Sequence, residues 1–372
     1  MIARRVRALE LFAGGGGAAL GLRSAGLESL GCVESDADAC ATLRSAGFPA
    51  IESDVRSVDW APLRDRADLV WASPPCQAFS TAGPRLGASD PRNGWPWTLD
   101  AIDAVAPTWV ICENVPGLTY HSAGCRGASA ATCAGCYWSQ WVVPGFRSRF
   151  RSVQTATLDA ADYGVPQHRR RVFLIAGPHP IRWPAPTHGA AGQLGLFAAV
   201  LPWVSCGEAL GLSKVIHEPS TTIAARAAGN AGPFVVRRSQ DPSVPLARRA
   251  IEEIGHRPSP TISATYGKSV TPDGNAPGGV PFIAVSGQLV GMGSPGPAIT
   301  ANGSHHYVGV GVLGGPWWHG RRRLTVAECA TLQGFPQRHR FHGSQTSQYK
   351  QIGNAVPPSM ARVLAEAVVA SF

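Results

Sequence analysis

The stretch VRALELFAGGGGAAL, residues 6–20, decides the reading of the chain. A short apolar run, residues 6–12, has strand character, and Gly14 to Gly17 then turn the backbone tightly into the helix-like AALGLRSAGL (18–27). Glycines at that turn let the main chain approach a ligand closely at the carboxyl end of a strand, although a plain flexible turn has the same composition.

Working outward, the pattern recurs. LGCVES (30–35) is a second strand, DADACATLRSAG (36–47) a helix, ESDV (52–55) a strand end, and DLVWAS (68–73) a third strand. A helix over 97–106, a strand over 109–113, a helix near 137–150 and the strand RVFLIAG (171–177) continue it. Strands alternating with helices imply a parallel sheet with right-handed crossovers, so residues 1–182 are expected to form a doubly wound α/β domain. From 183 to 320 the composition shifts to Pro, Gly, Ser and Thr with short apolar runs, which predicts a smaller, irregular β-rich domain. An approximate repeat runs through it: EPSTTIAARAAG (218–229), RPSPTISATYG (257–267) and SPGPAITANGS (294–304). The helical patterns LTVAECATLQGF (324–335) and SMARVLAEAVVASF (359–372) suggest that 321–372 return to complete the first domain.

Lys and Arg number 33 against 24 Asp and Glu, a net charge of +9 that draws polyanions and weakly favours nucleic acid. The amino terminus imitates a secretory signal, but Glu10 and the glycine run interrupt its apolar part. No run of 18 apolar residues exists, so no membrane span is expected. Nine cysteines in a chain too large to need disulfide staples fit a reducing cytoplasm.

Chemistry gathers at the strand ends. Glu34, twenty residues past Gly14, can accept both hydrogen bonds of a ribose diol, and Asp54 can meet an adenine amino group. No Lys or Arg closely follows the turn, so an adenosyl ligand without phosphates is as reasonable as a dinucleotide; each acid may instead cap the helix after it. In SPPCQAFS (73–80), Pro74 and Pro75 stop the strand just before Cys76. WVICENVPG (109–117) ends its strand with Glu113 and Asn114 at the same edge, and the apolar approach Trp109–Ile111 should raise the Glu113 pKa and favour a protonated carboxyl. In QHRRRVFLIAG (167–177), alternation puts Gln167, Arg169 and Arg171 on one face and His168 and Arg170 on the other.

Together LFAGGGG (11–17), SPPCQAFS (73–80), ENVPGL (113–118), QHRRR (167–171), RLTVAECATLQGFP (323–336) and QIGNAVPP (351–358) resemble, in order and spacing, the DNA (cytosine-5)-methyltransferase family. The resemblance covers 6–180 and 320–372; the region between corresponds by position to the family's variable target-recognition domain. It implies a Rossmann-like fold and S-adenosyl-L-methionine held by Phe12, Gly14, Gly16, Glu34, Asp54, Pro75, Asn354 and Val356. It further implies Cys76 as nucleophile at cytosine C6, Glu113 on N3 and the amino group, and Arg169 and Arg171 organising the site. Gln77, Ser80, Asn114 and Gln167 would contact substrate, and the loop with Gly83, Gly87 and Gly94 would close over a flipped base. Double-stranded DNA, a cognate restriction endonuclease sharing the site and a monomeric state are the implied partners and assembly.

Two stretches depart from the pattern. The loop after Cys76 runs through the tryptophan-rich DPRNGWPWTLDAI (90–102). Between ENVPGL and QHRRR lies HSAGCRGASAATCAGCYW (121–138), whose His121, Cys125, Cys133 and Cys136 are read first as a reduced, metal-free loop and alternatively as a structural zinc set.

Overall fold

Strand β1 (Arg7–Leu11) lies in the middle of a seven-stranded sheet in the computed structural model of the protein. The structure describes residues 5–75, 90, 92–121, 125, 133–190, 200–211, 224–225, 234–235, 279–285, 288–291, 296–297, 307–312 and 322–372. Beside β1 the sheet contains β2 (Glu28–Glu34), β3 (Ala50–Glu52), β4 (Leu69–Ala72), β5 (Trp109–Asn114), β6 (Ser152–Asp159) and β7 (Arg170–Gly177). Their order is β3-β2-β1-β4-β5-β7-β6. Strands β1 to β5 pair in parallel, as the alternating sequence predicts.

The last two strands correct that expectation, because β7 runs antiparallel to both β5 and β6. Only residues 160–169 link β6 to β7, and a parallel return needs a crossover of a dozen or more residues, so the chain hooks back instead. Strand β6 itself was not anticipated. Its sequence, SVQTATLD, is only partly buried along its length and lacks a continuous apolar run.

Alternation divides the sheet faces. Leu9, Leu11, Val33, Val70, Ala72, Val110, Cys112, Val172 and Leu174 join one core cluster with Trp95 and Leu99 of α3 (Trp95–Val105). Phe146 of α5 (Val143–Arg147) completes it; α5 is joined to α4 (Ala134–Tyr137) by a π-helical turn, Trp138–Val142, so the helix expected near 137–150 is broken into three. Trp95 meets Trp138 and Phe146 edge-on, with ring centroids 5.7 and 6.3 Å apart.

Against the other face lies α1 (Gly17–Ser24), followed in the chain by α2 (Ala37–Ser45). Asp36 caps α2 by accepting from the Asp38 and Ala39 amides. Helix α1 is clamped by the carboxyl-terminal helix α8 (Pro358–Val369): a Cβ on Gly21 would lie 2.5 Å from both Ala361 Cβ and the Pro358 carbonyl oxygen. Glycine at 21 is therefore what allows the two helices to touch. Helix α7 (Gln345–Asn354), which the sequence reading left unassigned, precedes α8.

The chain forms two compact units. The first comprises residues 1–163, 170–186 and 338–372; the second comprises 164–169 and 187–337. In the second, β8 (Gly279–Val285), β9 (Gln288–Gly291), β10 (Tyr307–Val312) and β11 (Arg322–Arg323) form an antiparallel sheet in the order β9-β8-β10-β11. The second unit also holds α6 (Val326–Leu332), started by a capping box between Thr325 and Glu328. Most of the threefold repeat, including all of 257–267, lies outside the described residues. Among the described residues no helix is long and apolar enough to cross a membrane.

Candidate active site

The carboxyl ends of β1 to β5 share one edge of the sheet, and Phe12, Glu34, Glu113 and Asn114 stand at or just past those strand ends. At the end of β1, Phe12 adopts a left-handed φ of 57°, which a bulky residue seldom does and which marks a constrained position. Gly14 (φ 54°) and Gly16 (φ 82°) follow in the same region, where only glycine is unstrained. A Cβ on Gly14 would meet nothing within 4 Å, so the turn faces open space there.

Glu34, at the end of β2, is fixed by backbone amides. Its Oε2 accepts from Gly14 N at 2.7 Å, and its Oε1 accepts from the Ser35 and Asp36 amides, each at 2.8 Å. The carboxylate thereby ties the glycine turn to the second strand while keeping further lone pairs. Asp54 differs: it accepts from the Arg56 amide at the start of a 3-10 turn and pairs with the Arg56 guanidinium at 2.9 and 2.7 Å. Hydrogen bonding by Arg56 holds the Asp54 carboxyl below its ordinary pKa. The alternative of a turn-capping acid is thus realised at Asp54, and Arg56, stacked 4.6 Å over the Trp97 ring, is a neighbour the sequence did not reveal.

The glycine turn is also held from the far end of the chain. His339, buried, donates from Nε2 to the Gly15 carbonyl oxygen at 2.9 Å, and since that oxygen only accepts, Nε2 carries the proton. Burial lowers the His339 pKa, keeping the ring neutral. Thr42 of α2 donates to Gln351 Oε1 at 2.7 Å and accepts from the His342 amide at 2.9 Å. A Cβ on Gly17 would overlap the carbonyl oxygen of Val356, which brings this predicted cofactor residue against the start of α1. Asn354, at the end of α7, is exposed. His339 and Gln351 were missed because nothing local marks them: their partners lie more than 300 residues away.

At β4 the chain leaves the sheet through Pro74 and Pro75, and Cys76, Gln77 and Ser80 lie outside the described residues, as does most of the glycine-containing loop. The approach to Cys76 is nevertheless anchored. Asn114, 2% exposed, donates from Nδ2 to the Pro74 carbonyl oxygen at 3.1 Å, and a Cβ on Gly94 would come within 2.7 Å of Pro75 Cδ. Beside it on β5, Glu113 pairs through Oε1 with Arg171 Nε at 2.9 Å. The sheet register explains the pair, because Glu113 stands opposite Phe173 and Asn114 opposite Val172 at the start of antiparallel β7. The predicted apolar approach is present, with Trp109, Val110 and Ile111 all buried, but Glu113 is an ion-pair partner and not an isolated acid.

The predicted alternation at QHRRR holds in burial: Gln167 and Arg169 are buried, His168 and Arg170 exposed. Gln167 and Arg169 belong to the second unit, where Gln167 Nε2 donates to the Leu332 carbonyl oxygen at 2.9 Å and to Gln333 Oε1. This ties QHRRR to the TLQGFP segment, so in this structure Gln167 has a framework role. His121, Cys125, Cys133 and Cys136 are brought together, with all four candidate ligand atoms within 4.8 Å of one another.

Comparison with known proteins agrees with this geometry. The chain is 29% identical to the Type II methyltransferase M1.HphI of Haemophilus parahaemolyticus over 97% of its length and 86% of the relative's. It is likewise 29% identical to the Type II methyltransferase M.AplI of Arthrospira platensis, over 97% of this chain and 84% of that one. Among solved structures, a putative DNA modification methyltransferase encoded within an Escherichia coli prophage superposes with a TM-score of 0.58 at 18% identity, covering 98% of this chain and 99% of that one, which shows a shared fold. The family model for C-5 cytosine-specific DNA methylases matches residues 6–188 and 260–370, and the chain therefore belongs to that family, as a DNA cytosine-5 methyltransferase.

Proposed function

We propose that the protein methylates C5 of a cytosine flipped out of double-stranded DNA at one short recognition sequence, through a covalent bond between Cys76 and C6, as the modification arm of a Type II restriction system or as a stand-alone methylase. The observation that carries this reading is the Glu113–Arg171 pair, one strand from a Pro74–Pro75 turn that Asn114 fastens and that leads directly to Cys76. A nucleophile and a charge-compensated carboxyl at one sheet edge suit addition to an electron-poor ring.

The residues at the glycine turn fit an adenosyl cofactor: the left-handed turn is open at Gly14 and Glu34 is oriented beside it. Phe12, Gly14, Gly16, Glu34, Asp54, Pro75, Asn354 and Val356 would hold S-adenosylmethionine, which supplies an electrophilic methyl group when bound. The Cys76 thiolate adds to C6, and the C5–C6 electron pair becomes available at C5. Glu113, protonated when the base is bound, donates to N3 as the ring gains electron density and accepts from the 4-amino group, while Arg171 orients the carboxyl through its other lone pairs. After methylation, loss of the C5 proton to a base restores the double bond and expels the thiolate. Flipping is required because C5 and C6 are enclosed within the duplex stack.

Residues 183–320 are assigned to target recognition. Arg226, Arg237, Arg238, Arg248, Arg249, Lys268, His305 and His306 supply candidate base and phosphate contacts there, and their side chains lie outside the described residues. The protein acts in the cytoplasm as a monomer. Expression in a host without cytosine methylation, followed by bisulfite mapping, tests the whole proposal. Methylation at one short motif, abolished by Cys76→Ser, is the expected result. A folded protein that binds S-adenosylmethionine but methylates no DNA would overturn it, and transfer to tRNA instead would redirect the assignment to RNA.

A further inference from the structure

Residues 121–132 of the insertion are small or polar and offer few side chains able to build a core. Between Cys125 and Cys133 the sequence is RGASAAT, small or polar throughout. Three cysteines cannot all pair with one another, and the Cys125 and Cys136 sulfurs stand 3.2 Å apart, well beyond the roughly 2.05 Å of a disulfide.

We propose that His121 Nδ1 and the Sγ atoms of Cys125, Cys133 and Cys136 bind a single structural zinc ion. A tetrahedron with zinc–sulfur bonds of about 2.3 Å and a zinc–nitrogen bond of about 2.05 Å has sulfur–sulfur edges of about 3.8 Å and sulfur–nitrogen edges of about 3.6 Å. His121 Nδ1 lies 3.8, 3.6 and 3.6 Å from Cys125, Cys133 and Cys136, and all four atoms fall within 4.8 Å of one another. Three thiolates and an imidazole form a closed, soft donor set that selects zinc and leaves no position open for substrate.

The fold makes room for this approach. Cys133 caps α4 and Cys136 lies in its single turn, both buried, while His121 and Cys125 come from the segment after β5. Gly135 N donates to the Tyr120 carbonyl oxygen at 3.0 Å, and a Cβ on Gly135 would stand 2.9 Å from His121 N, so only glycine lets the two segments come this close. The centre would also brace the far end of the loop that begins at Cys76. Tyr137, next to Cys136, accepts from Asn93 Nδ2 at 2.8 Å, and Trp138 packs on Trp95.

Metal analysis of the full-length protein, purified under reducing conditions without added zinc, tests the site independently of methyl transfer. About one zinc per chain is expected, released when the thiols are titrated with a mercurial. Cys136→Ser should reduce zinc to background, whereas Cys206→Ala, at a buried cysteine remote in sequence, should leave it unchanged. In case Cys136→Ser fails to fold, cobalt(II) exchange into the wild-type protein gives a second readout: tetrahedral visible bands and a thiolate charge-transfer band that falls by about a third in Cys125→Ser. A folded, reduced wild-type protein without zinc that takes up no cobalt(II), or a metal-free disulfide between Cys125 and Cys136, would overturn the proposal.

Discussion

Two glutamates buried in the same sheet illustrate opposite uses of a carboxyl group. Glu113, at the end of β5, is 7% exposed and paired with Arg171 at 2.9 Å. Glu10, within β1, is 3% exposed, faces α1 among Ala19, Leu22 and Arg23, and accepts a weak thiol hydrogen bond from Cys32 at 3.8 Å. Burial pushes the Glu10 pKa up to about 8, so near neutrality it is largely a neutral acid. The difference teaches that burial alone does not decide what a carboxyl can do; the partner that meets it also counts. At the strand end the antiparallel β7 delivers a guanidinium, whereas the middle of β1 receives the Cys32 thiol and the Ala19 backbone of α1.

The largest test of that contrast is Glu113→Gln, which keeps the shape but removes the charge and the proton. Turnover is expected to fall about 10²–10⁴-fold, measured with tritiated cofactor on cognate DNA, while the equivalent Glu10→Gln retains turnover. A Glu113→Gln enzyme within threefold of wild type would show that the carboxyl does not act on the base. Next in size, Arg171→Ala strands Glu113 without its counter-charge; chemical denaturation should report a loss of about 3 kcal/mol, and unchanged stability would mean that the pair is replaced by water.

Glu10 sets the third expectation through pH. Its folded pKa, about 8, lies above the unfolded value of 4.5, so its contribution is fully retained below pH 4.5 and is lost progressively as pH rises toward 8. The unfolded carboxyl is ionised at pH 7 while the folded one must hold its proton, a difference of about 3 kcal/mol. Glu10→Gln should therefore raise the denaturation midpoint at pH 7 and flatten the stability profile between pH 4.5 and 8. An unaltered profile would show that Glu10 is already solvated. The smallest effect belongs to Gly21→Ala, whose Cβ would meet Ala361 and the Pro358 carbonyl; overpacking should cost about 1–3 kcal/mol. If the displaced α1 admits water, the pH slope attributed to Glu10 should also become shallower.

Much of the site was legible because its residues sit where local sequence dictates the backbone. A glycine run after an apolar strand, a Pro-Pro stop, and Glu-Asn closing an apolar strand each mark a strand end, and parallel pairing puts those ends on one edge. Short-period patterning carried less information for β6 and α7. The former is a half-exposed strand without alternation, and the latter, QTSQYKQIGN, is mostly polar. Nor could spacing show that Arg56 would engage Asp54 or that Gln167 would lock onto Leu332 and Gln333.

By itself, then, the sequence determined the parallel βα units and the family, since these follow from local periodicity and from the order of the motifs. Tertiary structure alone decided the antiparallel turn of β7, the pairing of Arg171 with Glu113 and the neutrality of Glu10. The physical reason is that charge state and strand direction depend on which distant groups share a low-dielectric neighbourhood and on how short a connection must be spanned, and neither is written in any one stretch of residues.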